Sequence, residues 1–543
     1  MSNNTTFFDI HLHAFNLSHA GIMIFLNRYF LNNALTFEDL LNGRFRKIIF
    51  KVMFRPKPLK SLAANFFSLF IKILLILIIV ILVGWIAFAL LLLILNGIFN
   101  VNFLSLTTWQ YSAILIVALS DIIFITVAGL IIWLIIKKKI RTSVRRTINV
   151  LSVFENDLAR QFQYLELDYL RLCKNEELKK LIQSRPNKIN FREFNREIKE
   201  LWNKSEKQIY INNKPFNKVI LTPLMMDFGY KGFEGLDKNK IHYYLAPRKQ
   251  IKDQGIDLFN GIKQYYDYSP VKLFEIYPFM AINTANLEMG DEPEQRFSKT
   301  LPEILETSFR DFECESFNKR YERLNKKREK FLSDKNYIDS ENYYYAGIKI
   351  YPPLGYNPWP DNPTEKRKVE FLYDFCQKRC IPITTHCSDG GFVVIPQKTA
   401  WEYTKPERWN KVLEHFPELK LNFAHAGVQA YSKTRKWLEN ILILVNKYDN
   451  VYFDISYNGV ETKYYESIAE YILKVCKSNN LDIEKIKQKI LFGSDFMVNL
   501  FDINSYHKYL DLYSQTKGFD QHFVKDDFCT VNAERFLFEG INS

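Results

Sequence analysis

The chain is short of the features that several simple classes require. Its seven cysteines are odd in number and scattered, with only Cys376, Cys380 and Cys387 near one another, so no disulfide framework is implied. A chain of 543 residues buries a core without such staples, and a reducing compartment is the simpler reading. No internal repeat is detectable, which excludes solenoids and propellers. No secretory leader is evident, because the first long apolar run starts tens of residues in. With 47% hydrophobic, 15% aromatic and 24% charged residues the composition is globular rather than disordered. The mean hydropathy of -0.18 averages two unlike parts.

The net charge of +13 raises the question of nucleic acid. The excess, however, flanks two apolar runs. Arg44, Arg46, Lys47, Lys51, Arg55, Lys57 and Lys60 precede the first, and Lys137, Lys138, Lys139, Arg141, Arg145 and Arg146 follow the second. No nucleic-acid partner is implied. Ile73 to Leu95 is 23 residues without a charge, enough for about 30 Å of hydrocarbon, and Tyr111 to Ile136 is a second such run. The connector 97–110 lacks Lys and Arg, so the positive-inside rule expects a two-helix transmembrane hairpin in the cytoplasmic (inner) membrane, with the rest of the chain on the cytoplasmic side. Asp121 inside the second run, with Lys72 at its edge, reads as a hydrogen-bonding group of the hairpin rather than a transport site.

Outside the hairpin, short β-rich runs alternate with helical stretches, the pattern of a parallel sheet with crossover helices. Eight are expected: 7–13, 218–228, 274–284, 345–352, 381–387, 420–427, 450–456 and 490–496. In each the apolar part leads and a polar residue trails: His13, Asp227, Asn283, Lys349, His386, His425, Asp454 and Asp495. Eight strands close a barrel, and barrel active sites sit on the rim of carboxyl ends. The fold expected is α/β, a (β/α)8 TIM barrel with the transmembrane hairpin inserted after the first strand. Its layout is 1–20 first strand, 21–65 basic membrane-proximal segment, 66–137 hairpin (about 73–95 and 111–136), 138–210 cytoplasmic helical extension and 211–543 the remaining barrel. The basic run Lys319 to Lys335 reads as a solvated helix face.

His11 and His13 stand two apart on a strand and so point to one face, where both imidazoles can grip one ion. The pair alone is a weak motif. His386, His425 and Asp495 each end a different strand, and such nitrogen and carboxylate donors suit zinc or a similar first-row metal. The other histidines, His19, His242, His415, His507 and His522, fall in loops or helices and read as surface or packing residues.

The fragments DIHLHAFN at Asp9 to Asn16, PITTHC around His386, NFAHAG around His425 and LFGSDF around Asp495 are similar in order to the amidohydrolase superfamily. GIKIYPPLGYNP at Gly347 to Pro358 and NAERFLF at Asn532 to Phe538 point the same way, toward the amidohydrolase-related branch that includes aminocarboxymuconate-semialdehyde decarboxylase. The resemblance implies a divalent metal, Zn2+ first, held by His11, His13, His386 and Asp495, with His425 and Asp495 catalytic. It implies one ion, or two if Lys349 is a carbamylated bridge and His386 and His425 take the second; otherwise Lys349 anchors a substrate anion. Tyr351 and Tyr356 either line the pocket or pack. The turn from Ser388 to Gly391 reads first as a plain tight turn. The function expected is a membrane-anchored metal-dependent hydrolase acting on a C–N or C–O bond of a small molecule through a metal-activated water. Its partners would be that substrate and the lipid bilayer. Two alternatives stay open: a non-hydrolytic decarboxylase on the same ligands, and a non-catalytic membrane scaffold or sensor.

Overall fold

Strands buried on both faces are the reason these segments read as nearly continuous apolar runs. The computed structural model describes residues 6–16, 18–19, 153–154, 156–184, 191–228, 251–290, 300–334, 343–393, 395–429, 434–516 and 522–540. Eight strands succeed one another in parallel: β1 (Thr6–His13), β2 (Lys218–Leu224), β3 (Phe279–Ala281), β4 (Gly347–Ile350), β5 (Ile383–Thr385), β6 (Leu421–Phe423), β7 (Val451–Asp454) and β8 (Ile490–Leu491). The short strand Phe274–Ile276 precedes β3 and also pairs with β2. Registers run without crossover, from Thr6 beside Lys218 to Asp454 beside Leu491.

The barrel closes where β1 meets the end of β8. Leu12 bridges Phe496 in parallel, the His13 N–H donates to the Phe496 carbonyl at 2.7 Å, and the Asp495 N–H donates to the His11 carbonyl at 2.7 Å. Each of the eight expected runs thus contains a barrel strand.

The chain divides into two units, Met1–Gly43 with Ser152–Ser543, and Arg44–Leu151. The second unit, with Asp121, Lys72 and the runs 73–95 and 111–136, lies outside the described residues. The expected localisation, integral to the cytoplasmic membrane, is corrected by the structure. Among the described residues no helix is long and apolar enough to cross a membrane. The physical reason is visible in the longest ones, Ile251–Tyr268 and Thr462–Asn479. Each spans 18 residues and is amphipathic, the latter burying Tyr465, Ile468, Ala469, Ile472, Val475 and Cys476 while carrying Lys463, Glu466, Glu470, Lys474 and Lys477.

The stretch expected as a helical extension contributes to the barrel wall. Helix Leu158–Leu170, capped by Asp157, packs on helix Ile251–Tyr268. Gly261 permits that approach, since a Cβ there would lie 2.7 Å from Leu158 Cβ. Glu166 is buried between them and receives Tyr265 Oη (2.6 Å), Ser269 Oγ (2.5 Å) and Leu273 N (2.9 Å). The antiparallel hairpin Ile209–Ile211 and Lys214–Phe216 follows, its turn made by Asn212 and Asn213 at φ 53° and 62°. The basic run is helix Phe317–Ser333, mostly solvated but with Arg320 fully buried.

A second departure concerns cysteine. Cys314 and Cys380 are joined as a disulfide, linking the segment before helix Phe317–Ser333 to the turn before β5, although the sequence implied no pairing. Cys376 and Cys387 are buried and unpaired as thiols.

Gly347 opens β4 between β3 and the approach to β5, and a Cβ there would lie 2.6 Å from both Phe279 Cζ and the Pro382 carbonyl. Gly347→Ala should therefore cost about 1–3 kcal/mol of stability by overpacking, read as a lowered urea midpoint with unchanged slope.

Candidate active site

Strand ends deliver every candidate residue to one buried rim. His11 and His13 come from β1, Lys349 from β4, His386 from the residue after β5, His425 from the turn after β6, Asp454 from β7 and Asp495 from the segment after β8. All are at most 5% exposed. His425 and Asp495 adopt left-handed backbone, φ 62° and 57°, at a cost of roughly 1–2 kcal/mol each. Hydrogen bonds hold that backbone in place: His425 N–H to Asp454 Oδ1 at 3.0 Å, and Asp495 N–H to the His11 carbonyl. Gly493 supports the same crossing, because a Cβ there would sit 2.4 Å from His11 Cβ.

Three side chains converge. His13 Nε2 lies 2.9 Å and His11 Nε2 3.6 Å from Asp495 Oδ1. His11 Nε2 and His13 Nδ1 are buried with no hydrogen bond, while Asp495 Oδ1 is met by His13 Nε2. Unpaired buried nitrogen atoms are costly unless something binds them, and this donor set fits a first-row divalent ion. His11, His425 and Asp454 also cluster closely enough to ligate. That second group is spoken for, since Asp454 already receives five donors.

Those donors make Asp454 the centre of the rim. Its Oδ2 accepts from His11 Nδ1 (2.9 Å) and Asn422 Nδ2 (2.8 Å). Its Oδ1 accepts from His425 N (3.0 Å), Ser456 N (3.1 Å) and Ser456 Oγ (2.5 Å). Burial pushes its pKa up, but His11, Ser456 and His425 outweigh that and hold it well below the usual carboxylate range. For Asp495 burial is likewise outweighed, by His13, His425 and His11, leaving it ionised. Burial lowers His13 to about 4 and His425 to about 3. Behind β1, Asp9 ties the two ligand segments together, accepting from Ser494 N (3.0 Å), His11 N (3.3 Å) and Tyr506 Oη (2.7 Å). Burial raises its pKa to about 6.

His386 stands apart from the converging three. Its Nε2 faces the Gly390 carbonyl at 3.1 Å, its Nδ1 faces His425 Nε2 at 3.2 Å, and its ring stacks on Tyr351 at 4.2 Å. The glycine turn serves this packing. Gly391 has φ +105°, and a Cβ there would be 2.5 Å from Tyr351 Oη and 2.8 Å from His386 Nε2. Lys349 Nζ lies 5.7 Å from the Tyr351 ring centre, is buried, and has no hydrogen-bond partner. Burial lowers its pKa to about 8 despite the pull of Asp454 and Asp495.

Tyr356 donates to Tyr373 Oη at 2.7 Å and is wholly buried in the core. Asp227 accepts from Asn286 Nδ2 and Asn283 donates to the Leu354 carbonyl, so both hold rim loops. Burial drives the Cys387 thiol far up, which suits packing rather than nucleophilic attack. Sequence reasoning placed Asp454 at a strand end without a role, and Ser456 and Asp9 escaped it. Their signal was a buried-type strand, VYFDIS or FFDIHLH, interrupted by polar residues.

Residues 334–538 match the family model for amidohydrolases. That segment of the chain is similar to the amidohydrolase family. That family implies a hydrolase-type enzyme of a small molecule and a divalent metal. The matched segment carries Lys349, His386, His425, Asp454 and Asp495, and the fold adds His11 and His13 from outside it. No curated protein matches the chain. Among solved structures, a probable 2-pyrone-4,6-dicarboxylic acid hydrolase from Acinetobacter baumannii is 13% identical, with 60% of this chain and 84% of that one covered at a TM-score of 0.31. An uncharacterized TIM-barrel protein from Bordetella bronchiseptica is 13% identical, with 59% and 77% covered at 0.29. An amidohydrolase from Mycobacterium avium subsp. paratuberculosis is 11% identical, with 60% and 71% covered at 0.28. At these scores the likenesses add nothing to the assignment.

The buried histidines make acid stability a test of the metal-free site. The unfolded chain protonates His13 near 6.5 and the folded chain only near 4, so stability is full above 6.5 and is lost as pH falls toward 4. In metal-stripped protein His13→Gln should remove a loss on the order of 3 kcal/mol over that window. Urea midpoints at neutral pH and near pH 4 read it as a flatter profile for the variant.

Proposed function

We propose that the chain is a metal-dependent hydrolase that cleaves a C–N or C–O bond of a small molecule at the rim of the barrel. The observation that carries this reading is the convergence of His11 Nε2, His13 Nε2 and Asp495 Oδ1 in a buried site, with His11 Nε2 left without a hydrogen bond. These atoms would hold the ion, zinc by their chemistry. His386 serves as fourth ligand only by turning Nδ1 away from His425 or Nε2 away from Gly390. A metal held there would supply water of lowered pKa and a charge that polarises a carbonyl.

The protein's own groups do the rest. Asp495, ionised, accepts the proton of the attacking water. The leaving group then receives the proton that Asp495 took from the water, passed on through neutral His425. Lys349 offers a buried amine with no hydrogen-bond partner of its own, which fits an anionic group on the substrate. That same feature favours a second reading, since a decarboxylase substrate also carries a carboxylate, and the same ligands serve it. The scaffold reading is disfavoured by the intact set of His11, His13, His386, His425 and Asp495.

Elemental mass spectrometry of the purified full-length chain should give close to one zinc per chain. The His11→Ala, His13→Ala double variant should lose it, and His386→Ala should retain zinc with affinity lowered about tenfold. Two ions per chain would move Lys349 from anchor to bridge, and absence of metal in the unaltered protein would overturn the enzymatic reading. Asp495→Asn should abolish turnover across a panel of amides, esters and carboxylated substrates, and the product identifies hydrolysis or loss of carbon dioxide.

A further inference from the structure

The two histidines of the first strand are held from behind in different ways. His11 Nδ1 lies 2.9 Å from Asp454 Oδ2, a contact that fixes the plane of its ring. His13 lacks a brace of that kind. Its Nδ1 is buried without a hydrogen bond, and its Nε2 meets Asp495 Oδ1 at 2.9 Å. Rotation about the bond that carries an imidazole is soft, so a ring held at one nitrogen depends on packing for its orientation.

That packing is aromatic. His11 flanks the His13 ring at 5.4 Å and Phe15 at 5.7 Å, both in T-shaped contacts. His11 is already fixed by Asp454, so Phe15 is the side that can give. Phe15 is in turn packed by Phe154 (5.2 Å, stacked), Phe228 (5.5 Å) and Phe392 (5.7 Å), all fully buried or nearly so. Phe228 follows β2 and Phe392 follows β5, so the barrel itself supplies them. Phe154 comes from elsewhere, the segment ahead of helix Leu158–Leu170. Polar bonds pin that segment to the end of β1. Asn16 Nδ2 donates to the carbonyl of Asn156, 140 positions away, at 3.3 Å. Gln161 Nε2 faces the carbonyls of Phe15 (3.4 Å) and Val153 (3.3 Å).

We propose that Phe154 is a positioning residue for the metal site: stacked on Phe15, it holds the Phe15 ring against His13 and so sets the orientation of the His13 imidazole. The inference rests on the reading of His13 as a metal ligand. It gives the segment around Phe154 a task beyond closing the barrel wall, because His13 is ordered for binding only when that segment has docked. Removing the Phe154 ring leaves a buried cavity into which Phe15 turns, and His13 loses the surface that orients it. His11, braced by Asp454, keeps its place.

Zinc affinity of the full-length chain, measured by chelator competition, is the first readout. Phe154→Ala should bind zinc about tenfold more weakly than the unaltered chain, and Phe154→Leu, which keeps most of the apolar volume, should stay within about threefold. Phe309→Ala is the control for general loosening. Phe309 is equally buried but packs on Phe312 and Tyr345. Its loss should lower the urea midpoint while zinc affinity stays within about threefold. Weakening of the same size in Phe309→Ala, or none in Phe154→Ala, would overturn the proposal. If Phe154→Ala does not fold, the smaller truncation Phe154→Val carries the same readouts.

The second readout needs no metal. In zinc-free protein labelled with 13C-histidine at neutral pH, the His13 ring signals are those missing from His13→Gln, and they carry the ring-current shift of Phe15. Phe154→Ala should move them toward the positions of an unpacked imidazole while the His11 signals stay. Unmoved His13 signals would overturn the proposal whatever the zinc result. A chain that binds no zinc yet shows the His13 shift would sink the metal reading and leave the packing role of Phe154 upheld.

Discussion

Everything at the rim depends on closure between the first strand and the last. His11 and His13 lie hundreds of residues from Asp495 in the chain, and only the backbone bonds joining His11, His13 and Leu12 to Asp495 and Phe496 bring them within reach of one another. The crossing is tight. Gly493 passes His11 with no space for a side chain, and Asp9 clamps both segments from behind through Ser494 N and His11 N. If β1 slipped by one residue against its neighbours, the face carrying the two histidines would turn outward and the site would vanish.

Closure also concentrates charge, and the structure handles that by pairing. Asp454 and Asp495 are both fully buried carboxylates, a state that burial alone would penalise heavily. Each is kept ionised by imidazoles, and they take different roles because of their remaining neighbours. Asp454 has its oxygens filled by donors and works as a brace. Asp495 Oδ1 faces only the ring nitrogens of His13 and His11, which is why it is the proposed ligand. Lys349 adds a buried amine that Asp454 and Asp495 attract. The left-handed backbone at His425 and Asp495 is local strain at the two residues with proposed chemical tasks, offset by the bonds to Asp454 and His11.

Residue order alone carried much of the architecture. Eight apolar runs ending in polar residues defined the strands and their direction, and the H-x-H spacing put two donors on one face, because side-chain alternation along a strand is a local property. The family fragments were local too, and so legible. What sequence reasoning missed was relational. It left Asp454 among rim residues of unknown task and had no means of seeing that His386 faces His425 and Gly390. It read no pairing for Cys314 and Cys380, which stand 66 positions apart and meet only through the packing of a helix on the barrel. It placed the chain in a membrane, and among the described helices none has the apolar length for that.

The sequence by itself therefore determined the strand count, the polar residues at the strand ends and the family resemblance, since each depends on periodicity or on contiguous fragments. Tertiary structure alone decided which oxygens and nitrogens face one another. A carboxylate acquires the role of ligand or brace from the number of donors that three-dimensional packing aims at it. Those donors, Asn422, His425, Ser456 and His11 for Asp454, come from three different strand ends and have no common signature in the chain.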